Sequence, residues 1–143
     1  MTPEQRFTDA VERVAAVALA LPDAYEEDAW TGIRWRVRQR TFAHVVLVDG
    51  SSPAFVAVAG DVGHVVMTFR SSGDELDALA RIGHPYFKPV WSPTVVGMHL
   101  AADTDWSEVA ELVTDSYCLL APKKLARLVF RPPTCLAPPV DER

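Results

Sequence analysis

The chain has 143 residues, a net charge of −5, and 49% apolar against 23% charged residues, which is the composition of one globular core and not of a disordered polymer. A modestly acidic balance argues against tight non-specific binding to nucleic acid by the surface as a whole, so any such contact has to come from a local basic stripe. Cys118 and Cys135 have neither metal-ligand nor CxxC spacing, no charged start precedes an apolar signal core, and no apolar run reaches the ~20 residues that span a bilayer; a soluble cytoplasmic protein with reduced thiols and no cofactor is expected.

Thr2-Pro3-Glu4-Gln5 reads as a helix start, with Thr2 as cap, Pro3 at the first helical position and Gln5 returning the bond. Phe7, Ala10, Val11, Val14, Ala15, Ala18 and Leu21 then recur at helical spacing until Pro22-Asp23 ends the run. Residues 25–30 form a short acidic strand candidate, and Thr31-Gly32 permits a turn. Across 33–40 apolar and basic residues alternate strictly, which predicts a strand. Ile33, Trp35 and Val37 face the core, while Arg34, Arg36, Arg38 and Arg40 make a guanidinium ladder on the other side. Centring the turn on Thr31 sets Asp28 opposite Arg34 and Glu26 opposite Arg36, each such pair contributing ~0.2–1 kcal/mol. Arg38 and Arg40 are left without an acidic partner.

Residues 41–48, apolar on both faces apart from His44, read as a central strand covered on both sides. Strands over 54–59 and 64–69 follow, separated by turns at 49–53 and 60–63, so a meander of antiparallel strands is expected. Ser71-Ser72-Gly73-Asp74-Glu75 opens a short helix closed by Gly83. His84-Pro85-Tyr86-Phe87-Lys88-Pro89 reads as a rigid aromatic loop, and 94–101 as a last strand in which Gly97 predicts a bulge or a close backbone approach.

Asp105, with Glu108 three residues on, caps a long helix whose Trp106, Val109, Leu112, Val113, Tyr117 and Leu120 give a broad apolar face. Pro122 restarts a short helix carrying the second basic cluster: Lys123, Lys124, Arg127 and Arg131. Residues 1–131 are thus read as a single α+β domain and the proline-rich 132–143 as a flexible tail. Trp35 and Trp106 fall in phase with the core, and Trp30 and Trp91, beside turns or prolines, are the more exposed aromatics.

No catalytic signature emerges, and the expectation is that the protein is not an enzyme. Ser51-Ser52 and Ser71-Ser72 lie in turns without a nucleophile-elbow pattern, and no glycine-rich phosphate loop is present. His44, His64, His84 and His99 are scattered over different elements and read as structural. The first helix offers only Glu4, Asp9 and Glu12, interrupted by Arg6 and Arg13, as oxygen ligands for a hard cation, so no metal site is expected.

Several strings, in order, resemble the MmcQ/YjbR family of small bacterial proteins over about residues 3–125: Ala20-Leu21-Pro22, Arg36-Val37-Arg38-Gln39-Arg40-Thr41-Phe42-Ala43, Tyr86-Phe87 with Lys88-Pro89, Val96-Gly97-Met98-His99-Leu100, Asp105-Trp106, and Asp115-Ser116-Tyr117. Two features depart from that pattern: the usual Gly-Lys after the basic strand is Gln39-Arg40, and the proline-rich tail lies outside it. The resemblance implies a CyaY-like α+β fold, an antiparallel sheet with helices packed on one face, and DNA binding through hairpin wings. Two function classes follow. One is weak, non-specific binding of duplex DNA through Arg34, Arg36, Arg38 and Arg40, helped by Lys123, Lys124, Arg127 and Arg131. The other is a protein-interaction domain that does not touch nucleic acid.

Overall fold

In the computed structural model, residues 2–29 and 31–129 are described; Trp30, Arg131, Cys135 and the segment 132–143 lie outside the described residues. The first helix, α1 (Pro3–Ala18), starts with the expected capping box, Thr2 Oγ1 accepting from Gln5 N at 3.1 Å and Gln5 Oε1 from Thr2 N at 2.8 Å. It is followed by β1 (Tyr25–Asp28), β2 (Ile33–Val37) and β3 (Arg40–Leu47), then α2 (Pro53–Ala59), β4 (Val65–Arg70), α3 (Gly73–Ile82), β5 (Tyr86–Phe87), β6 (Val95–Leu100), α4 (Trp106–Leu120) and α5 (Lys123–Ala126). The strands form one six-stranded antiparallel sheet in the order β1-β2-β3-β4-β6-β5.

Four expectations are corrected. The segment 54–59 is not a strand but the helix α2: Pro53 fixes the first helical position and Gly60, at φ +92°, closes it in the left-handed conformation. Its Phe55, Val56 and Ala59 cover Val46, Val48 and Val66 on the sheet face opposite α1 and α4. The supposed loop at 84–89 contains β5, which pairs with β6. The strand over 33–40 is broken, because Arg38 and Gln39 both have positive φ (50° and 67°), the two-residue turn that matches strand twist in a hairpin. Arg38 therefore sits in the turn and Arg40 begins β3. Gly97 is a tight spot of another kind than expected: a Cβ there would overlap the ring of Phe87 on β5. The bulge lies on β3 instead, where Trp35 opposes Ala43 and Arg36 opposes Thr41, leaving Phe42 as the extra residue.

The main core lies between the sheet and α1 with α4. Trp35, Val37, Phe42, Val45, Met67, Val96 and Tyr117 are all fully buried or nearly so. Trp106 is only partly buried at the core margin, with the Arg13 guanidinium 5.1 Å from its ring. At the bulge, Ser116 of α4 resolves a backbone problem. Its Oγ donates to the Phe42 carbonyl at 2.7 Å and accepts from Arg70 N at 2.8 Å, one residue past the last β3–β4 pair. Removing the hydroxyl would leave both groups without a partner in the interior, at roughly 1–3 kcal/mol each.

Ser116→Ala is accordingly expected to lower unfolding free energy by about 2–4 kcal/mol in a urea titration, and a loss under about 0.5 kcal/mol would refute this role. Gln39→Gly should act in the opposite direction. A non-glycine residue in the left-handed region costs about 1 kcal/mol, so glycine at that position should raise the melting temperature by roughly 3 °C.

Candidate functional site

The acidic strand and the arginines meet in a register one residue away from the expected one. A four-residue connection, closed by Ala29 N donating to Gly32 O at 3.0 Å, aligns Glu27 with Arg34, Glu26 with Trp35 and Asp28 with Ile33. Gly32 is required there: it has φ +86°, and a side chain would run into the backbone of Val45. Opposite residues of an antiparallel pair share a face, so Glu26 falls on the core side and Glu27 on the arginine side. Glu26 Oε1 accepts from the buried Trp35 indole Nε1 at 3.0 Å. Glu27 Oε1 accepts from Arg34 Nε at 2.7 Å and Arg36 Nη1 at 3.1 Å. Arg36 also donates to the Gln39 carbonyl across the hairpin end. The hydrogen bond from Arg34 above all, seconded by Arg36, holds the Glu27 carboxyl below its usual range.

The other two arginines are placed differently. Arg38, expected to lack an acidic partner, faces Asp23 at 3.3 Å, but both side chains are about half exposed (49% and 58%), so the pair is solvent-screened. Arg40 is exposed and makes no ion pair among the described residues. On α5, Lys123, Lys124 and Arg127 are exposed while Leu125 anchors the turn in the core. The two basic groups lie at the same end of the sheet: Tyr117 Oη donates to Pro22 O at 2.5 Å, next to the Asp23 that pairs with Arg38, and α5 begins at Lys123, three residues after the end of α4. Arg131 lies outside the described residues.

Sequence reasoning missed a pocket of about 250 Å³ on the sheet face away from α1 and α4, lined by Thr41, His44, Phe55, Thr68, Arg70 and Trp91 among others. Trp91 is 45% exposed, as expected, and meets Phe55 edge-on at 5.2 Å. His44 donates its Nε2–H to the Thr31 carbonyl, and burial holds its pKa below the ordinary histidine value, so it is neutral at pH 7. The period of β3 signals this face, since His44, Val46 and Val48 alternate with the core residues, but the missed helix α2 hid what stands over it.

Three of the four histidines read as scattered come together in space, while His44 stands apart. His64 and His84 each lie 5.3 Å from His99, centroid to centroid. Among the described residues no group of three or more His, Cys, Asp or Glu side chains is arranged to hold a metal ion. On α1, Asp9 is engaged by Arg13 at 3.0 Å. No helix among the described residues is long and apolar enough to cross a membrane.

These features define a small α+β domain whose polar edge is a short, arginine-rich hairpin. The chain belongs to the YjbR family, whose model matches residues 19–119, from just past α1 to the last turn of α4. No curated protein matches it.

Glu27 is expected to titrate below an ordinary glutamate when followed by carboxyl NMR, and Arg34→Ala should move its midpoint back up. Because the folded pKa is lowered, the pair's contribution to stability is fully present above the usual carboxylate range and is lost as pH falls through the lowered value. A Glu27 midpoint indifferent to Arg34→Ala would exclude the shared-carboxylate arrangement.

Proposed function

We propose that this protein is a weak, sequence-indifferent duplex-DNA-binding module, acting through the tip of the β2–β3 hairpin and through α5. The observation that carries this reading is the unequal neutralisation of the arginines. Arg34 and Arg36 share one carboxylate, whereas Arg38 stands at the tip in a screened pair and Arg40 has no acidic partner among the described residues. Lys123, Lys124 and Arg127, exposed at the same end, extend the positive surface. Lysines and arginines on phosphate position a protein on DNA without reading sequence, and no side-chain set suited to base edges accompanies them. With an overall charge of −5, the affinity belongs at the weak end of the 10⁻⁴ to 10⁻⁶ M that is typical of non-specific binding at physiological salt.

A second reading, a protein-interaction domain, is favoured by Val90 and Trp91, which are 96% and 45% exposed in the connection after the edge strand β5. Nothing in either reading requires catalysis.

Titration of a short duplex at low salt separates the two. The Arg38→Gln/Arg40→Gln double variant should weaken binding about ten-fold and flatten the dependence of log affinity on log salt by about two, roughly one per lost phosphate contact, whereas Arg34→Gln/Arg36→Gln should weaken it less. Absence of binding by the unaltered protein at low salt, or equal binding by the unaltered and Arg38/Arg40 proteins, would leave the protein-interaction reading in its place.

A further inference from the structure

The pocket of about 250 Å³ on the sheet face away from α1 and α4 joins two kinds of chemistry. Its floor comes from neighbouring central strands, Thr41 and His44 on β3 with Thr68 and Arg70 on β4, and Thr68 stands directly opposite His44. Its wall is aromatic. The rings of His44 and Phe55 meet edge-on at 6.0 Å, and those of Phe55 and Trp91 at 5.2 Å, so three rings from β3, α2 and the connection after β5 stand in series. Against that wall Arg70 sets a guanidinium. Its Nη1 donates to the Thr94 hydroxyl at 2.9 Å, a neutral acceptor, and among the described residues this is the hydrogen bond its side chain makes. Thr68, only 9% exposed, adds a hydroxyl to the floor.

We propose that this pocket binds a small aromatic carboxylate, its ring against Phe55 and Trp91 and its carboxylate on Arg70. Size limits the occupant first. A dry cavity of about 150 Å³ holds benzene, so the pocket takes one ring with a short polar substituent. It is smaller than the roughly 300 Å³ from which sites for larger ligands start, so a whole nucleotide does not fit. Charge decides the substituent. A neutral ring would gain the aromatic wall, through offset or edge-to-face contacts, but would strip water from the guanidinium without replacing it. A carboxylate replaces that water with charge-assisted hydrogen bonds, and the planar guanidinium fork matches its two oxygens. The aromatic wall therefore supplies affinity, and Arg70 supplies the choice of an acid over its uncharged analogue.

Benzoate is the probe and benzamide its uncharged match in shape, each titrated into the full chain at constant ionic strength while the Trp91 indole and the arginine Nε–H signals are followed by NMR. The expected result is saturable benzoate binding with a dissociation constant on the order of 1 mM or tighter, as suits so small a ligand. The Trp91 and Arg70 signals should move together, and benzamide should bind about ten-fold more weakly or worse. Arg70→Gln keeps the main-chain amide that bonds Ser116, and it should bring benzoate down to the level of benzamide while leaving benzamide unchanged. Trp91 is 45% exposed, so Trp91→Ala should fold normally and weaken both probes about three-fold or more. Failure of benzoate to saturate, equal affinity of the unaltered protein for the two probes, shifts confined to the hairpin arginines, or benzoate binding unchanged in either variant would overturn the proposal. Tighter binding of free adenine than of benzoate would overturn it as well, in favour of a base pocket. The site does not rest on the hairpin reading; failure of either leaves the other standing.

Discussion

A β-bulge inside a protein creates a debt of hydrogen bonds, and Ser116 is where this fold settles it. The extra residue, Phe42, turns its ring into the core against Tyr117, 5.3 Å away and edge-on, and leaves its carbonyl facing α4. A hydroxyl on α4, fully buried, satisfies that carbonyl and the amide of Arg70, the residue of β4 just past its pairing with β3, together. Tyr117, the next residue, reaches past the sheet to Pro22. Helix, central strands and the connection after α1 are thereby fixed to one another by two adjacent side chains. Three of the strings that carry the family resemblance, at Ala20-Leu21-Pro22, at the hairpin and at Asp115-Ser116-Tyr117, meet at this spot. They read as parts of the frame.

The parity of the β1–β2 connection governs the surface as the bulge governs the interior. One residue more or less in that connection would exchange the faces of β1, aiming Glu27 at the core and leaving Arg34 and Arg36 without their carboxylate. The register that exists puts Glu26 under the Trp35 indole and Glu27 between two guanidiniums. It lowers the net positive charge along the strand and leaves the excess at the hairpin tip.

What the sequence discloses follows the range of the interactions. Helices α1 and α4 are legible because their caps are local: Thr2 with Gln5, and Asp105 with the amides of Ser107 and Glu108. The core phase of β2 is legible because alternation is a property of the strand alone. The register of β1 is not, since Ala29 and Gly32 close the connection by a bond that spacing does not announce. Within α2, Phe55, Val56 and Val58 look equally apolar at period two, although Pro53 and Gly60 bracket the segment as helix ends do. The hidden strand β5 is two residues long and exists through its pairing with β6. The histidine cluster is the extreme case: His64, His84 and His99 have no meaningful spacing until β4, β5 and β6 are laid side by side. Of the basic residues, Arg34 and Arg36 were visible as strand residues, while the exposure of Arg38 and Arg40 depended on the turn.

Open sheets carry a hazard at their margins, where unpaired amides and carbonyls invite a neighbouring chain to extend the ladder. Here one margin is β1, four residues of which three are Glu26, Glu27 and Asp28; the other is β5, only two residues long. A second copy approaching the first margin would bring carboxylates against carboxylates, and at the second it would find too short a template to hold. The same acidic strand that tempers the arginines thus also guards the sheet against growth, so the surface chemistry of the hairpin and the colloidal behaviour of the protein are set by the same few residues.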